Sequence, residues 1–99
     1  MNNVTRKYLI VYDMVDDRRR SKIHDCLMSY GERVQYSVFM VDTKPAKMLR
    51  LKEKIVSMIE RSEDSVIVID LGIAEGFSHA RMEQIGKGSI DSRSGPYIV

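Results

Sequence analysis

Cysteine is nearly absent from this 99-residue sequence, since Cys26 is the only one. A single cysteine can form neither an internal disulfide nor a zinc site, so the composition favours a reducing compartment. Near the start of the chain, the uninterrupted apolar run covers only residues 8–12. This run is too short for a signal-peptide core or a membrane span. We therefore expect a cytoplasmic protein with no membrane partner.

Several familiar catalytic signatures are also missing: a glycine-rich phosphate loop, an HExxH helix and a nucleophile elbow. His24 and His79 are expected to be surface histidines rather than bases. The net charge of +2 says little, but residues 1–61 carry 13 basic against 8 acidic residues. A basic first part suggests an anionic partner such as nucleic acid, although a surface that is merely uneven in charge explains it equally well.

The hydrophobic pattern predicts one domain with strands and helices in alternation. A strand is predicted at 8–12, and a helix follows, capped by Asp16 or Asp17 and ending at Gly31. The next predicted elements are one strand or two short ones at 33–41, a helix from Thr43 to about residue 61, a strand at 65–71 and a weak strand at 82–85.

This order favours an α+β fold, a ferredoxin-like βαββαβ sandwich with both helices on one face of the sheet. We expect the folded domain to cover residues 1–86. Residues 87–99 have the composition of a flexible tether followed by a short β-prone tail, which would add a C-terminal strand.

Asp13 is the candidate site residue, because it follows directly after the apolar run 8–12. A carboxylate at the end of a buried strand stands at the edge of the sheet, where crevices form. The alternative is that Asp13 is a turn or capping acid. Asp16 and Asp17 lie where the first helix begins, so capping and the helix dipole account for them.

Four basic residues follow these acids. Arg19 and Arg20 flank the apolar stripe of the first helix and are expected to point toward the sheet edge near Asp13. They could pair with the nearby acids or hold a phosphate group. Arg18 and Lys22 lie on the solvent side of the helix, where a solvated face is the alternative to phosphate binding.

One carboxylate is a poor magnesium site. Mg²⁺ prefers octahedral oxygen coordination, usually from one or two carboxylates, waters and phosphate oxygens. A two-fold dimer that brings two copies of Asp13 together would supply the second carboxylate. No general base can be identified from the sequence.

Two stretches, "YLIVYDMVDDRRRSKI" and "YGERVQYSVFMVD", together resemble the small CRISPR-associated nuclease family, the smaller of the two core proteins of spacer acquisition. The resemblance is close over about the first seventy residues and loose in the tail. It implies a ferredoxin-like homodimer that hydrolyses phosphodiester bonds in RNA or DNA with Mg²⁺ or Mn²⁺. Asp13 matches the metal-binding aspartate of the family, one from each protomer.

The resemblance also implies further site residues and partners. The tail at 96–99 would pair with the sheet of the partner protomer, and the CRISPR integrase would be the protein partner. The supporting site residues are Tyr12, Arg20, Arg33, Ser37 and Phe39. The expected nucleic-acid-binding residues are Arg18, Arg19 and Lys22.

Three functions stay open at this point. The first is a metal-dependent endonuclease. The second is a non-catalytic scaffold that binds duplex DNA and bridges the integrase. The third is a sheet that binds single-stranded RNA, with Tyr36 and Phe39 as stacking platforms.

Overall fold

The computed structural model describes residues 3–78 and 81–86. The elements in chain order are β1 (Arg6–Asp13), α1 (Asp17–Met28), β2 (Glu32–Gln35), β3 (Val38–Thr43), α2 (Pro45–Met58) and β4 (Ser65–Ile73). The four strands form one antiparallel sheet in the order β2-β3-β1-β4. The predicted βαββαβ arrangement is thereby confirmed. The expected tether and tail at 87–99 lie outside the described residues.

Strand β1 is central, and its side chains alternate between the two faces of the sheet. Tyr8, Ile10 and Tyr12 are buried in the core against the helices. Leu9 and Val11 therefore point to the opposite face, which we call the open face. The core is completed by the apolar stripes of both helices and by β3: Ile23, Leu27, Phe39, Val41, Met48, Leu51 and Ile55.

Helix α1 begins as predicted, because Asp16 is its N-cap. The Asp16 carboxylate accepts a hydrogen bond of 3.0 Å from the Arg19 amide, which satisfies one of the free donors of the first turn. Cys26 is partly buried against the core, as expected from its place in the apolar stripe.

Gly31 follows the helix for a reason that differs from the predicted one. Left-handed backbone is what usually favours glycine after a helix, but in the described residues only Gly72 and Gly86 have positive φ. A Cβ at Gly31 would instead collide with the carbonyl oxygen of Met40 on β3. The close approach of the chain to β3 is therefore what requires glycine here.

Several predicted boundaries were wrong. Helix α2 has Lys44 as its N-cap instead of Thr43, and it ends at Met58 instead of continuing to about residue 61. For the segment 33–41, the second of the two predicted alternatives is confirmed, since it forms two strands broken at Tyr36 and Ser37. The weak strand predicted at 82–85 is reduced to an isolated bridge at Gln84.

Strand β4 is one of the two edges of the sheet in the described part of the chain, and β2 is the other. Ile67 pairs with Val11, and Ile69 pairs with Leu9, so these four side chains share the open face. Ile67 and Ile69 are 53% and 42% exposed. Among the residues that the structure describes, none therefore covers the apolar surface around Ile67 and Ile69, on the side of the sheet that faces away from the helices. In the same part of the chain, no helix is long and apolar enough to cross a membrane.

Candidate active site

Asp13 lies at the last position of β1, opposite Ser65 on β4. Its side chain is exposed, and none of the other described residues donates a hydrogen bond or forms a salt bridge to it. Asp13 borders a cavity of about 260 Å³ together with Met14, Arg20 and Ser37. A carboxylate that is neither capping a helix nor paired with a cation is available to bind a ligand. The expected capping role therefore belongs to Asp16 and not to Asp13.

Tyr12 lines this cavity, and Phe39 packs against Tyr12 from the core. The Tyr12 amide donates a 3.1 Å hydrogen bond to the Ser37 carbonyl, which joins β1 to the turn before β3. The Tyr12 ring stacks on Phe39 with centroids 6.2 Å apart. Burial raises the pKa of the Tyr12 hydroxyl, and the positive charge of Arg33 opposes this shift. Because Phe39 is completely buried, it can support Tyr12 but cannot serve as a stacking platform for a base.

Arg20 holds the backbone that follows Asp13. Its guanidinium donates a 2.8 Å hydrogen bond to the Met14 carbonyl and also pairs with Asp17. The hydrogen bond with Asp17 is the largest cause of the raised pKa of Arg20, so the group stays protonated. Arg20 therefore borders the cavity and, at the same time, fixes the backbone directly after Asp13.

Arg33 and Tyr36 belong to a second, larger cavity of about 560 Å³, which also includes Tyr12, Arg20 and His24. The Arg33 guanidinium lies 5.2 Å from the centroid of the Tyr36 ring. Tyr36 is 67% exposed. The two cavities share Tyr12, Arg20 and Tyr36, so they adjoin each other, and we call the two together the cleft. Tyr12, Arg20 and Ser37 thus line the same cavity as Asp13, and Arg33 lines the adjoining one.

Arg19 is placed differently, because its side chain is bound by two acids. It forms hydrogen bonds of 2.6 Å with Asp64 and 2.8 Å with Glu63. The side chain of Asp64 is fully shielded from solvent, and it also accepts from the Val15 and Glu60 amides. The Arg19 hydrogen bond is the main reason that the pKa of Asp64 lies well below its usual value. Arg19 is thus held in ion pairs, which is the alternative to phosphate binding that the sequence left open.

Sequence reasoning did not find this buried Asp64, which binds Arg19 and two backbone amides. Asp64 lies 45 positions from Arg19, and a single acid before an apolar strand looks like any turn residue. Arg18 and Lys22, in contrast, are exposed on the outer side of α1, as predicted.

Within residues 3–78 and 81–86, a single chain offers no group of three or more His, Cys, Asp or Glu residues that could hold a metal ion. Asp13 alone supplies one oxygen-bearing group, and Mg²⁺ usually takes one or two carboxylates with waters and phosphate oxygens. A carboxylate is therefore a suitable ligand for Mg²⁺, and a second Asp13 from another copy of the chain would bring the number of carboxylates to two.

The fold and site together define a class: a ferredoxin-like sheet protein with an unpaired aspartate at the end of its central strand, bordered by arginine and tyrosine. The family model described as CRISPR associated protein Cas2 matches residues 6–75. The chain belongs to this family, and the resemblance seen in the sequence is confirmed.

Individual relatives agree with this assignment. CRISPR-associated endoribonuclease Cas2 3 of Synechocystis sp. is 44% identical over 59 residues, which are 60% of this chain and 64% of that protein. The matched part thus spans slightly less than two thirds of that relative. A crystal structure of a hypothetical protein from Thermus thermophilus has a TM-score of 0.70 and 29% identity, covering 87% of this chain and 96% of its own.

A third relative is a chain of a solved structure described as a partial Cas6-RT-Cas1--Cas2 complex. It has a TM-score of 0.60 and 37% identity, and the match covers 67% of this chain and 78% of that chain.

Proposed function

We propose that the protein is a metal-dependent endonuclease that hydrolyses phosphodiester bonds of RNA or DNA during CRISPR spacer acquisition. The observation that carries this proposal is the exposed, unpaired carboxylate of Asp13, which opens onto a cleft bordered by Arg20 and Arg33. The names of the relatives support it, since they include endoribonuclease and endonuclease.

The active form in this proposal is a homodimer. Asp13 continues the alternation of Leu9 and Val11, so it belongs to the open face of the sheet. That face also carries the exposed Ile67 and Ile69. A second copy that covers this apolar surface around a two-fold axis makes a self-complementary interface. With the axis near the ends of the β1 strands, the two Asp13 carboxylates face each other.

In this arrangement, the two Asp13 carboxylates would hold Mg²⁺ or Mn²⁺, which supplies an activated water and stabilises charge on the phosphoryl oxygens. Arg20 keeps the Met14 backbone in place, so the direction of Asp13 does not depend on a free loop. Ser37 and Tyr36 line the same cavity as Asp13 and Arg20. Tyr36, supported by Arg33, presents an exposed ring on which an unpaired base can stack.

The nucleic-acid backbone is contacted in this proposal by Arg18 and Lys22 on the exposed side of α1. Arg19 contributes indirectly, because its guanidinium is already bound to Asp64 and Glu63. The integrase of the acquisition machinery is the proposed protein partner, and the resemblance to a chain of the Cas6-RT-Cas1--Cas2 complex supports it.

A cleavage assay tests the proposal. Labelled single-stranded RNA and duplex DNA are incubated with purified protein in Mg²⁺, in Mn²⁺ and in chelator. We expect divalent-dependent cleavage by the wild type and none by Asp13→Asn. Glu75→Gln is the matched control, because it removes an exposed negative charge outside both cavities. Cleavage by Asp13→Asn at the wild-type rate would contradict the proposal.

One observation favours a second candidate, the non-catalytic scaffold. The described residues offer one unpaired carboxylate at the site and no metal-binding cluster, and this is little for a hydrolase. Under this alternative, the wild type binds duplex DNA but shows no divalent-dependent turnover on either substrate.

A further inference from the structure

The larger cavity of the cleft, about 560 Å³, is lined by several groups that the proposed cleavage step does not use. Helix α1 contributes Ser21, His24 and Asp25, and the edge strand β2 with the turn after it contributes Arg33 and Tyr36. Pockets that hold small organic groups have volumes of about 300–1,000 Å³. The cavity is therefore large enough for one nucleobase.

An exposed aromatic ring with an arginine beside it is the first of these groups. Tyr36 is 67% exposed, and the Arg33 guanidinium lies 5.2 Å from the centroid of its ring. The Nε of Arg33 donates a 3.2 Å hydrogen bond to the Gln35 carbonyl, which holds the guanidinium beside the strand. Unpaired bases stack on exposed aromatic rings and on guanidinium planes. This part of the cavity therefore suits the flat face of an unpaired base.

A carboxylate that is largely free is the second group. The Asp25 side chain is 83% exposed. In the described part of the chain its hydrogen-bonding contact is with Nδ1 of His24 at 3.4 Å, longer than the usual 2.7–3.2 Å of such bonds. Asp17, which also lines the cavity, is already paired with Arg20. Because a carboxylate accepts hydrogen bonds and cannot donate them, Asp25 favours a ligand with N–H groups.

The charges around the cavity distinguish a base from a phosphate group. Asp17 and Asp25 repel an anion, so a phosphate is a poor ligand for this part of the cleft. A base is uncharged, and its edges carry both hydrogen-bond donors and acceptors. Arg33 supplies donors and Asp25 supplies acceptors at the same cavity. The lining therefore matches the edges of a base and not the backbone of a nucleic acid.

Guanine matches this lining better than the other bases do. Its Watson–Crick edge carries two neighbouring donors, N1–H and the N2 amino group, and one carboxylate can accept from both. Its O6 and N7 atoms are acceptors, and arginine donating to them is the most common specific contact to guanine. Adenine and cytosine place an acceptor beside their amino group, and uracil places its N–H between two carbonyls. None of these three bases therefore offers two adjacent donors to a carboxylate.

We propose that the larger cavity binds one unpaired guanine base of a single-stranded nucleic acid, with Asp25 accepting from N1–H and N2 and Arg33 donating to O6 or N7. This inference rests on the proposed function, because it takes the ligand to be the nucleic acid that is cleaved at Asp13. The two cavities adjoin each other, so the guanine belongs to a nucleotide near the bond to be cleaved. Asp25 is thus a residue that determines specificity and takes no part in the hydrolysis itself.

The test compares two bases at one position of the same oligomer. A short fluorescent uridine oligomer with one central guanosine is titrated with protein in chelator, where no cleavage occurs, and binding is followed by anisotropy. The wild type should bind it about fivefold more tightly than the same oligomer with inosine, which lacks only the N2 amino group. Asp25→Asn should bind both oligomers equally, because its one carbonyl oxygen can accept from N1–H of either base.

Glu53→Gln is the matched control, because it removes the same charge from an exposed helical position outside the cleft. It should keep the wild-type preference for guanosine over inosine. Asp13→Asn should keep this preference too, so a failure of the cleavage proposal would leave the guanine site standing.

Two results of the titration would overturn the inference: equal affinity of the wild type for the two oligomers, or an unchanged preference in Asp25→Asn. Free guanosine monophosphate is titrated in the same way and should bind more weakly than the oligomer. If it binds as tightly, the inference also fails, because the cavity would then hold a free nucleotide and not a base of a nucleic acid.

Discussion

Phe39→Ala separates a structural role of this residue from a direct role in binding substrate. Phe39 is completely buried, and its ring packs against Tyr12 at 6.2 Å and His24 at 5.6 Å between centroids. Truncation of a buried phenylalanine to alanine costs about 3–5 kcal/mol. The free energy of unfolding of a domain of this size is about 5–15 kcal/mol. The variant should therefore lose a large part of its stability.

The expected signal is a large shift in thermal melting. One kcal/mol changes the melting temperature of a 60–100-residue domain by about 4–8 °C, so Phe39→Ala should melt roughly 12–40 °C lower. Circular dichroism at one fixed protein concentration measures this shift, because dimerisation makes the melting temperature depend on concentration. Phe39→Leu should lose less, since leucine fills more of the cavity.

Tyr36→Ala is the matched aromatic control, because Tyr36 belongs to the same sequence motif and is 67% exposed. Its free energy of unfolding should stay within about 0.5 kcal/mol of the wild-type value. The reasoning would be refuted if Phe39→Ala melted within a few degrees of the wild type and lost nucleic-acid binding. Phe39 would then act as a stacking platform after all.

Three further outcomes can be checked on the same protein. Asp64→Asn tests the contribution of the Asp64 carboxylate to stability. Because the pKa of Asp64 is lower in the folded protein than its ordinary value of 3.8, the carboxylate stabilises the fold above pH 3.8, and this contribution is lost as the pH falls further. In urea unfolding near neutral pH, Asp64→Asn should therefore be less stable than the wild type, and this difference in the free energy of unfolding should shrink as the pH falls below 3.8. A difference that does not change with pH would contradict this role of Asp64. Gly31→Ala should destabilise the fold by about 1–3 kcal/mol in urea unfolding, because its Cβ meets the Met40 carbonyl, whereas Gly76→Ala, with open space around it, should not. Ile67→Arg should shift sedimentation from dimer to monomer, and an unchanged dimer would contradict the proposed use of the open face.

Local sequence patterns determined most of the fold. The apolar run before Asp13 predicted the central strand, and Asp16 as N-cap is a local choice of side chain and backbone. The alternation of strands and helices along the chain then predicted the ferredoxin-like arrangement, and the structure confirms it. The sequence did not predict where α2 ends. The apolar stripe continues through Ile59, whereas the helix ends at Met58.

Only the tertiary structure decided which charges are free. Asp13, Asp17 and Asp64 are the same residue type, yet they differ in their surroundings. Within residues 3–78 and 81–86, Asp13 is unpaired, whereas Asp17 pairs with Arg20, and Asp64 is shielded and bound by Arg19. Partners 45 positions apart meet because the turn before β4 lies beside the start of α1, and no local pattern encodes that meeting. The glycine at position 31 is explained in the same way, by the approach of β3 and not by its own backbone angles. Sequence thus fixes which side chains are available, whereas the assembled sheet and helices determine which of them remain available for a ligand.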